Sequence, residues 1–354
     1  MDVGLIGCGG IANLHMKVLK SMKGVRIAGV CDLNLERAKD IARKFGVEKA
    51  FTNYADLLEI NLDMIDICTP VSTHARIACD VAKSVPAILV EKPMALNVSE
   101  CDEMIRTMKK FGTKLCVGHN QIFLPAIEKA KSLISAGIYD LVSFKTSQKE
   151  SFELLKAYKL AADWMVTPQQ RGIIWEVCCH LAYLQLHFLN DVKEVYAVGG
   201  KVKYPVYDNF AVLLRTASDR FGVIELSWVS NETEIVYEIG DSRGKRFQIY
   251  RDFDYFLENS ASPPHTMKGV GNSFIADEKR ILQKWAKFGL NYIHKRKMIP
   301  HLKLIGNYIL SLKEGLPPPV LPEDGRNAVH LLECIEKSLE EHRPVEVTLE
   351  RKHL

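Results

Sequence analysis

Residues 3–12 read VGLIGCGGIA and carry the strongest structural signal of the chain. A short apolar strand at residues 3–6 runs into a glycine-rich turn, and a helix-like segment follows at residues 13–22. A second apolar strand, Arg26–Cys31, ends in Asp32. The turn has the form G-x-G-x-x-A inside a strand–turn–helix–strand unit, which predicts a dinucleotide-binding βαβ motif.

Each position of the turn has a physical reason. Gly7 permits the tight turn, Gly9 leaves room for a pyrophosphate, and Ala12 lets the helix pack closely on the strand. The N-terminus of the helix then offers unpaired N–H groups and a partial positive charge to the phosphates. The residues expected to contact the cofactor here are Gly7, Gly9, Gly10, Ile11 and Ala12.

Asp32 stands twenty positions after Ala12, where a carboxylate can accept hydrogen bonds from the adenosine ribose. This acid favours NAD over NADP, because a 2′-phosphate would lie beside its negative charge. Arg37 or Arg43 could accommodate that phosphate, so NADP stays open as an alternative.

Helices and apolar strands alternate as far as residue 122, which predicts a doubly wound parallel sheet of the Rossmann type, an α/β fold. Ligands of such sheets bind at the carboxyl ends of the strands. The residues at these ends are Gly7, Asp32, Thr69-Pro70, Glu91-Lys92-Pro93 and His119-Asn120. Their shared position predicts a site at this edge.

Residues 123–354 contain β-like segments separated by turns, with a helical segment at 174–190. This pattern predicts a second, α+β domain with a largely antiparallel open sheet. We therefore expect domains at 1–122 and 123–354. Because an exposed sheet face is usually covered, we also expect a homodimer or homotetramer.

Composition excludes several classes of protein. Hydrophobic residues at 47% and charged residues at 25% are typical of a globular protein, and a net charge of +4 is too small to indicate nucleic-acid binding. No apolar run is long enough to span a bilayer, and we see no signal peptide. Nine scattered cysteines without a Cys-x-x-Cys pair indicate reduced thiols and a cytoplasmic location.

Several motifs in order resemble the glucose–fructose oxidoreductase, inositol dehydrogenase and MocA (Gfo/Idh/MocA) family over nearly the whole chain. Besides the glycine turn, they are Thr69-Pro70 with His74, Glu91-Lys92-Pro93, Gly118-His119-Asn120, Trp164, Glu176 with His180, and residues 317–326. The resemblance implies hydride transfer between NAD(P) and a hydroxyl or keto carbon of a sugar or cyclitol.

The same resemblance implies the catalytic roles. Lys92 would touch both the nicotinamide ribose and the reacting hydroxyl, and His180 would be the catalytic acid–base. Glu176 matches a position that the family usually fills with aspartate. Because Glu176 and His180 are four residues apart, they would share one face of a helix. A histidine suits proton transfer near neutral pH, and a lysine cation stabilises a developing alkoxide.

The remaining site residues also follow from the resemblance. The substrate pocket is expected to contain Lys92, Asn120, Trp164, Glu176 and His180. The cofactor site is expected to add Thr69, Pro70, His74, Glu91, Lys92 and Asn120 to the glycine turn and Asp32. Simpler interpretations stay open, with His180 as a core histidine, Trp164 as a core anchor and His74 as a contact of nearby backbone. The Glu-x-x-x-His pair lacks a third ligand, so we expect no metal.

Departures from the family pattern leave the substrate open. Arg171-Gly172-Ile173 replaces a glycine-rich stretch, Cys178 replaces a usual glycine, and Met165 stands where an arginine often follows the tryptophan. Free sugars and cyclitols are the first expectation, and UDP-sugars are the second. Two further alternatives are a glycosidase that uses NAD without net redox change and a non-catalytic NAD-binding sensor.

Residues 279–303 carry eight lysines and arginines interleaved with apolar side chains. Three interpretations compete: a solvated helical face, an amphipathic helix on a membrane surface, and a basic lid over an anionic substrate. The solvated face is the commonest of the three, and we do not expect membrane binding.

Overall fold

The computed structural model describes residues 1–158, 161–251, 255–259 and 298–350. Among them, a first unit holds residues 1–120, 300–333 and 350, and a second unit holds the described parts of 121–299 and 334–349. The expected second domain, 123–354, differs from this division because residues 300–333 return to the first unit. An amphipathic helix pattern shows that one face is buried, without showing which sheet covers it.

The sheet of the first unit contains, in the described residues, six parallel strands. They are β1 (Asp2–Ile6), β2 (Arg26–Cys31), β3 (Ala50–Phe51), β4 (Met64–Ile67), β5 (Ala87–Val90) and β6 (Lys114–Val117). Their order is β3-β2-β1-β4-β5-β6, so the direction of winding reverses between β1 and β4. Doubly wound sheets bind dinucleotides at this reversal. The predicted Rossmann domain is confirmed.

Helices join these strands, and local sequence signals set several of their ends. The helices are Ala12–Ser21, Leu35–Phe45, Tyr54–Leu57, His74–Val81, Val98–Phe111, Ile299–Glu314 and the first part of Pro322–Glu341. The side chain of Asn34 accepts the N–H of Arg37 at the start of one helix, and Gly46 ends it in the left-handed region. These are the residue types that helix termini favour.

The two late helices return to the first unit through specific contacts. The Tyr308 hydroxyl of Ile299–Glu314 lies 2.8 Å from the carbonyl oxygen of Lys114 and 3.1 Å from that of Ile88. Gly325 of the next helix lies so close that an added Cβ would be 2.8 Å from Met94 and from Val117. The Arg326 guanidinium, one residue later, pairs with Asp102 at 2.6 Å.

The sheet of the second unit contains, in the described residues, eight strands. They are β7 (Leu141–Ser151), β8 (Val192–Gly200), β9 (Asn209–Thr216), β10 (Phe221–Ser227), β11 (Val229–Asp241), β12 (Arg246–Tyr250), β13 (Tyr255–Asn259) and β14 (Val345–Glu346). Their order is β13-β12-β11-β7-β10-β9-β8-β14, and every pairing is antiparallel except the parallel pair β7 and β10. The expected largely antiparallel sheet is confirmed.

One face of this sheet is covered by the helix Cys179–Phe188. The ring of Phe188 lies 4.5 Å from that of Phe144 on β7, and the side-chain amide of Gln185 donates to the Val223 carbonyl at 2.9 Å. Other helical segments of the unit are Pro125–Ser135, Phe152–Ala157, Asp163–Val166 and the π-helical turn Ile174–Cys178. Buried and exposed residues alternate along β9, so within the described part of the chain the other face of the sheet is exposed at this strand.

Across the described ranges, no helix is both long enough and apolar enough to cross a membrane. The basic stretch 279–303 lies outside the described residues up to position 297. Its last cation, Lys303, lies on Ile299–Glu314.

Candidate active site

The glycine-rich turn has the backbone that its sequence predicts. Gly7 has φ +93°, and a Cβ there would lie 2.7 Å from the Cys68 carbonyl and from the backbone nitrogen of Thr69. A Cβ on Gly9 or Gly10 would instead meet nothing within 4 Å. The helix Ala12–Ser21 has no side-chain cap and no acid in its first turn. An open space in front of a helix N-terminus fits a pyrophosphate.

Asp32 is fixed beside this turn by the backbone. Its Oδ2 accepts the N–H of Cys8 at 2.8 Å, and its Oδ1 accepts the N–H of Asn34 at 2.9 Å. Each carboxylate oxygen has a second lone pair, so ribose hydroxyls fit here. Arg37 lies 3.8 Å from Oδ2, while Arg43 pairs with a different aspartate.

His74 holds together the loops that follow β4 and β5. Its buried ring places Nε2 at 2.8 Å from the Thr69 carbonyl and Nδ1 at 2.9 Å from the Pro93 carbonyl. Burial lowers the pKa of His74 more than the two carbonyls raise it. The structure therefore places this side chain behind the two loops, where it acts on Thr69 and Pro93 and not on solvent.

Lys92 is half-buried at the end of β5, where the Lys92–Pro93 peptide is cis. Its backbone N–H donates to the carboxylate of the preceding Glu91 at 3.2 Å. Gly118, at the end of β6, makes room for both residues, because a Cβ there would lie 3.0 Å from the Glu91 carboxylate and 3.1 Å from the Lys92 nitrogen. Asn120 follows, with its amide nitrogen 3.0 Å from Nε2 of His301.

Three further side chains of this region escaped sequence reasoning: His15, Asp66 and His301. The first two are fully buried and the third is 8% exposed. Asp66 carried a signal, since it interrupts the apolar strand MIDI of β4, and a buried acid needs a partner. The donor atoms of His15, Glu91 and His301 lie within 4.8 Å of one another, a spacing that a bridging ion would also satisfy.

The first unit therefore brings the predicted residues Gly7, Asp32, Thr69, Lys92 and Asn120 to the carboxyl edge of one sheet. The other predicted residues, Trp164, Glu176 and His180, lie in the second unit.

His180 and Glu176 are both half-buried, and they lie on different kinds of helix. Glu176 belongs to the π-helical turn Ile174–Cys178, and His180 to the α-helix that follows. A π-helical turn holds slightly more residues than an α-helical turn, so residues four apart still lie close to one face. Nδ1 of His180 lies 2.8 Å from the Tyr183 hydroxyl, whose oxygen accepts the N–H of Gln121 at 3.0 Å.

The segment before this helix differs from the family pattern in ways that the structure explains. The Arg171 guanidinium lies 3.6 Å from the centre of the Trp175 ring and pairs with Glu336. Trp164 is 45% exposed, which excludes a core anchor. Cys178 is fully buried, and burial raises the pKa of its thiol, as expected for a packing residue.

Comparison with known proteins agrees with this fold. The profile of the Gfo/Idh/MocA oxidoreductase family, described as an NAD-binding Rossmann fold, matches residues 1–119, and that of the GFO/IDH/MocA C-terminal domain matches residues 127–250. The chain is 26% identical to myo-inositol 2-dehydrogenase of Thermotoga maritima over 363 aligned positions, which cover 98% of each protein.

Solved structures give the same result. Levoglucosan dehydrogenase in complex with NADH superposes with a TM-score of 0.81 at 18% identity, covering 99% of this chain and 100% of that one. The WlbA dehydrogenase of Bordetella pertussis, in complex with NADH and UDP-GlcNAcA, gives 0.80 at 18% identity, covering 99% and 98%. The predicted family and NAD cofactor are confirmed, and the chain belongs to the Gfo/Idh/MocA family of oxidoreductases with an NAD-binding Rossmann domain.

Proposed function

We propose that this protein is a dehydrogenase that oxidises a secondary alcohol of a free sugar or cyclitol, or reduces the matching ketone. The position of Lys92 carries the proposal. This lysine ends β5 on the same sheet edge as the glycine turn and Asp32, so a cation lies on the edge where a dinucleotide binds. The relative named myo-inositol 2-dehydrogenase, matched over 98% of both chains, supports the substrate class.

Bound NAD would supply the hydride acceptor. In this proposal, the residues that hold NAD are those of the glycine turn, Asp32 and the loops after β4, β5 and β6. The Lys92 ammonium stabilises the negative charge that develops on the substrate oxygen as its proton is removed, before the departing hydride turns the C–O bond into a carbonyl. His180 takes the hydroxyl proton, and the Tyr183 hydroxyl holds its ring from Nδ1. Glu176 and Trp164 contact the substrate.

Three alternatives are separated by experiment. UDP-sugars are the second candidate class, since a structural neighbour was solved with UDP-GlcNAcA. A glycosidase that oxidises and re-reduces the same substrate would turn over without net NADH formation. A non-catalytic sensor would bind NAD without turning over any substrate.

The test follows NADH absorbance at 340 nm while the protein and NAD⁺ are mixed with inositols, free sugars and UDP-sugars. We expect a signal with free sugars or cyclitols, and a loss of about 10³-fold or more in kcat for Lys92→Ala, since a positioned cation supplies several kcal/mol of charge stabilisation. Lys83→Ala, an exposed lysine of the same unit, is the matched control and should act as wild type. Silence across the panel despite NAD binding would overturn the proposal.

Two further features belong to the proposal. The open sheet face exposes apolar side chains, with Tyr196 39%, Val198 50% and Leu213 51% exposed, and we infer that a second copy of the chain covers them in a homodimer or homotetramer. Light scattering in solution measures that mass directly. Eight of the nine cysteines are buried, which suits a reducing compartment, and we infer a cytoplasmic location.

A further inference from the structure

A buried imidazole joins two carboxylates beneath the candidate site. Nδ1 of His15 lies 2.9 Å from the Asp66 carboxylate, and Nε2 lies 3.0 Å from the Glu91 carboxylate. His15 and Asp66 are fully buried, and Glu91 is 6% exposed. The distance between Nε2 and the Glu91 carboxylate is that of an ion pair, but the geometry is not that of a good hydrogen bond. Electrostatic attraction therefore accounts for this contact.

Polar groups from several elements of the first unit surround His15. Asp66 lies on β4, and Glu91 directly follows β5. Cys68 directly follows β4, and its Sγ lies 3.5 Å from Nδ1 of His15. The His301 ring, from Ile299–Glu314, packs edge-on at 5.6 Å. Burial opposes the imidazolium, yet Asp66 and Cys68 outweigh it and raise the pKa of His15 well above its usual value.

The pKa of Glu91 moves in the complementary direction. Burial would raise it, but His15, together with His301 and Lys92, outweighs burial and lowers the pKa to about 2. The cluster therefore favours a charged imidazole beside an ionised Glu91. Apolar residues of similar size often replace such buried ion pairs without loss of stability. A function other than filling the core would explain why charged groups stand here.

The cluster connects the helix that follows the glycine turn with the backbone of Lys92. His15 lies in the first turns of the helix that follows the glycine turn. Glu91 uses its second carboxylate oxygen to accept the backbone N–H of Lys92 at 3.2 Å. A continuous path of contacts thus runs from the cofactor helix through one ring and one carboxylate to the peptide of Lys92.

We propose that His15 and Glu91 are positioning residues that hold the Lys92 peptide in register with the helix of the glycine turn. The expected effect of this positioning on kcat rests on the proposed dehydrogenase function. A displacement of a catalytic group by about 1 Å can cost roughly 10²-fold in rate, so a link of this kind affects kcat without touching the substrate.

Two substitutions of Glu91 distinguish a role in positioning Lys92 from a role in filling the core. Glu91→Gln keeps an acceptor for the Lys92 N–H, whereas Glu91→Leu supplies only apolar volume and leaves His15 paired with Asp66. We expect Glu91→Leu to fold, with a melting temperature near that of wild type, but to lose about 10–100-fold in kcat with KM nearly unchanged. Glu91→Gln should retain most of kcat. Glu100→Leu removes a different half-buried glutamate, which accepts the Leu96 N–H, and serves as the control.

Hydrogen–deuterium exchange tests the link without any substrate, so it stands even if the proposed function fails. In the full-length protein, the peptide containing Lys92 should exchange faster in Glu91→Leu than in wild type or Glu91→Gln. It should also exchange faster in His15→Gln, although residue 15 lies on another element.

Several outcomes would overturn the inference. One is equal kcat in Glu91→Gln and Glu91→Leu, and another is exchange at Lys92 that is the same in all variants. A third is stoichiometric metal in the purified protein that is lost in His15→Gln, since a metal ligand could not be the cation of this cluster.

Discussion

The two units hold their candidate functional side chains by different means. In the first unit, the residues stand at strand ends, and backbone geometry or buried charge fixes them, as with Gly7, Asp32 and Glu91. In the second unit, Glu176 and His180 are half-buried on a helix that contains a π-helical turn, and the Tyr183 hydroxyl contacts Nδ1 of the histidine. We therefore expect substitutions at the strand ends of the first unit to disturb the backbone as well as the site. In the second unit, we expect a substitution to change one side chain and leave the backbone in place.

This difference follows from what each unit has to recognise. A dinucleotide presents a pyrophosphate and a ribose to any protein that binds it, so we propose that the groups that meet it here are backbone N–H groups and Asp32. The substrate pocket that we propose in the second unit has to fit one particular sugar or cyclitol, and π-helical turns are frequent at functional sites. The departures from the family pattern at Arg171 and Cys178 lie in the second unit, around the helix that carries His180.

The largest effect should come from Gly7→Ala. The new Cβ would meet backbone atoms at 2.7 Å in a residue with φ +93°. Strain at such a φ and overpacking each cost roughly 1–3 kcal/mol, so we expect the free energy of unfolding to fall by about 2–6 kcal/mol and NADH binding to be lost. Chemical denaturation and a fluorescence titration with NADH measure the two effects.

Gly9→Ala separates loss of NADH binding from loss of stability, because its Cβ would enter open space and meet no protein atom within 4 Å. It should leave the free energy of unfolding within about 1 kcal/mol of wild type and weaken NADH binding by about tenfold or more, since the lost space is the ligand's. If Gly9→Ala bound NADH as wild type does, the open space in front of the turn would not be the pyrophosphate site.

Sequence reasoning recovered the first unit well because its signals are local. The glycine turn is specified by close approach, and the helix Leu35–Phe45 has a capping residue at each end. The strands of this sheet are mainly apolar, as expected of a sheet buried on both faces, apart from Asp66 inside β4 and a charged residue at the start of β1, β2 and β6. The sequence does not predict the contact between His15 and Asp66. These residues are 51 positions apart, and a contact at such a separation has no local sequence pattern.

The second unit was less accessible to the same reasoning. A π-helical turn and an α-helix share one apolar pattern, so the sequence predicts a helix over 174–190 but does not reveal the π-helical turn within it. The return of residues 300–333 to the first unit was also hidden. Tyr308 and Gly325 make the deciding contacts, and neither contact has a local signature.

His180→Gln probes the second unit directly. We expect kcat to fall by about 10²–10⁴-fold, the contribution of a positioned acid–base, with the Kd for NADH unchanged. Stopped-flow or steady-state kinetics with the substrate found in the panel, paired with the NADH titration, measure this split. Weakened NADH binding would show that His180 acts on the cofactor and would remove the contrast between the units.

The smallest effect on ligand binding or turnover should come from Tyr183→Phe. Nδ1 of His180 loses its hydroxyl partner, and the buried N–H of Gln121 loses its acceptor. The unpaired N–H should lower the free energy of unfolding by about 1–3 kcal/mol. Because the base itself remains, kcat should fall only a few-fold, far less than in His180→Gln. A loss as large as that of His180→Gln would mean that the hydroxyl takes part in the proton transfer itself, and the second unit would then depend on a fixed network as much as the first does.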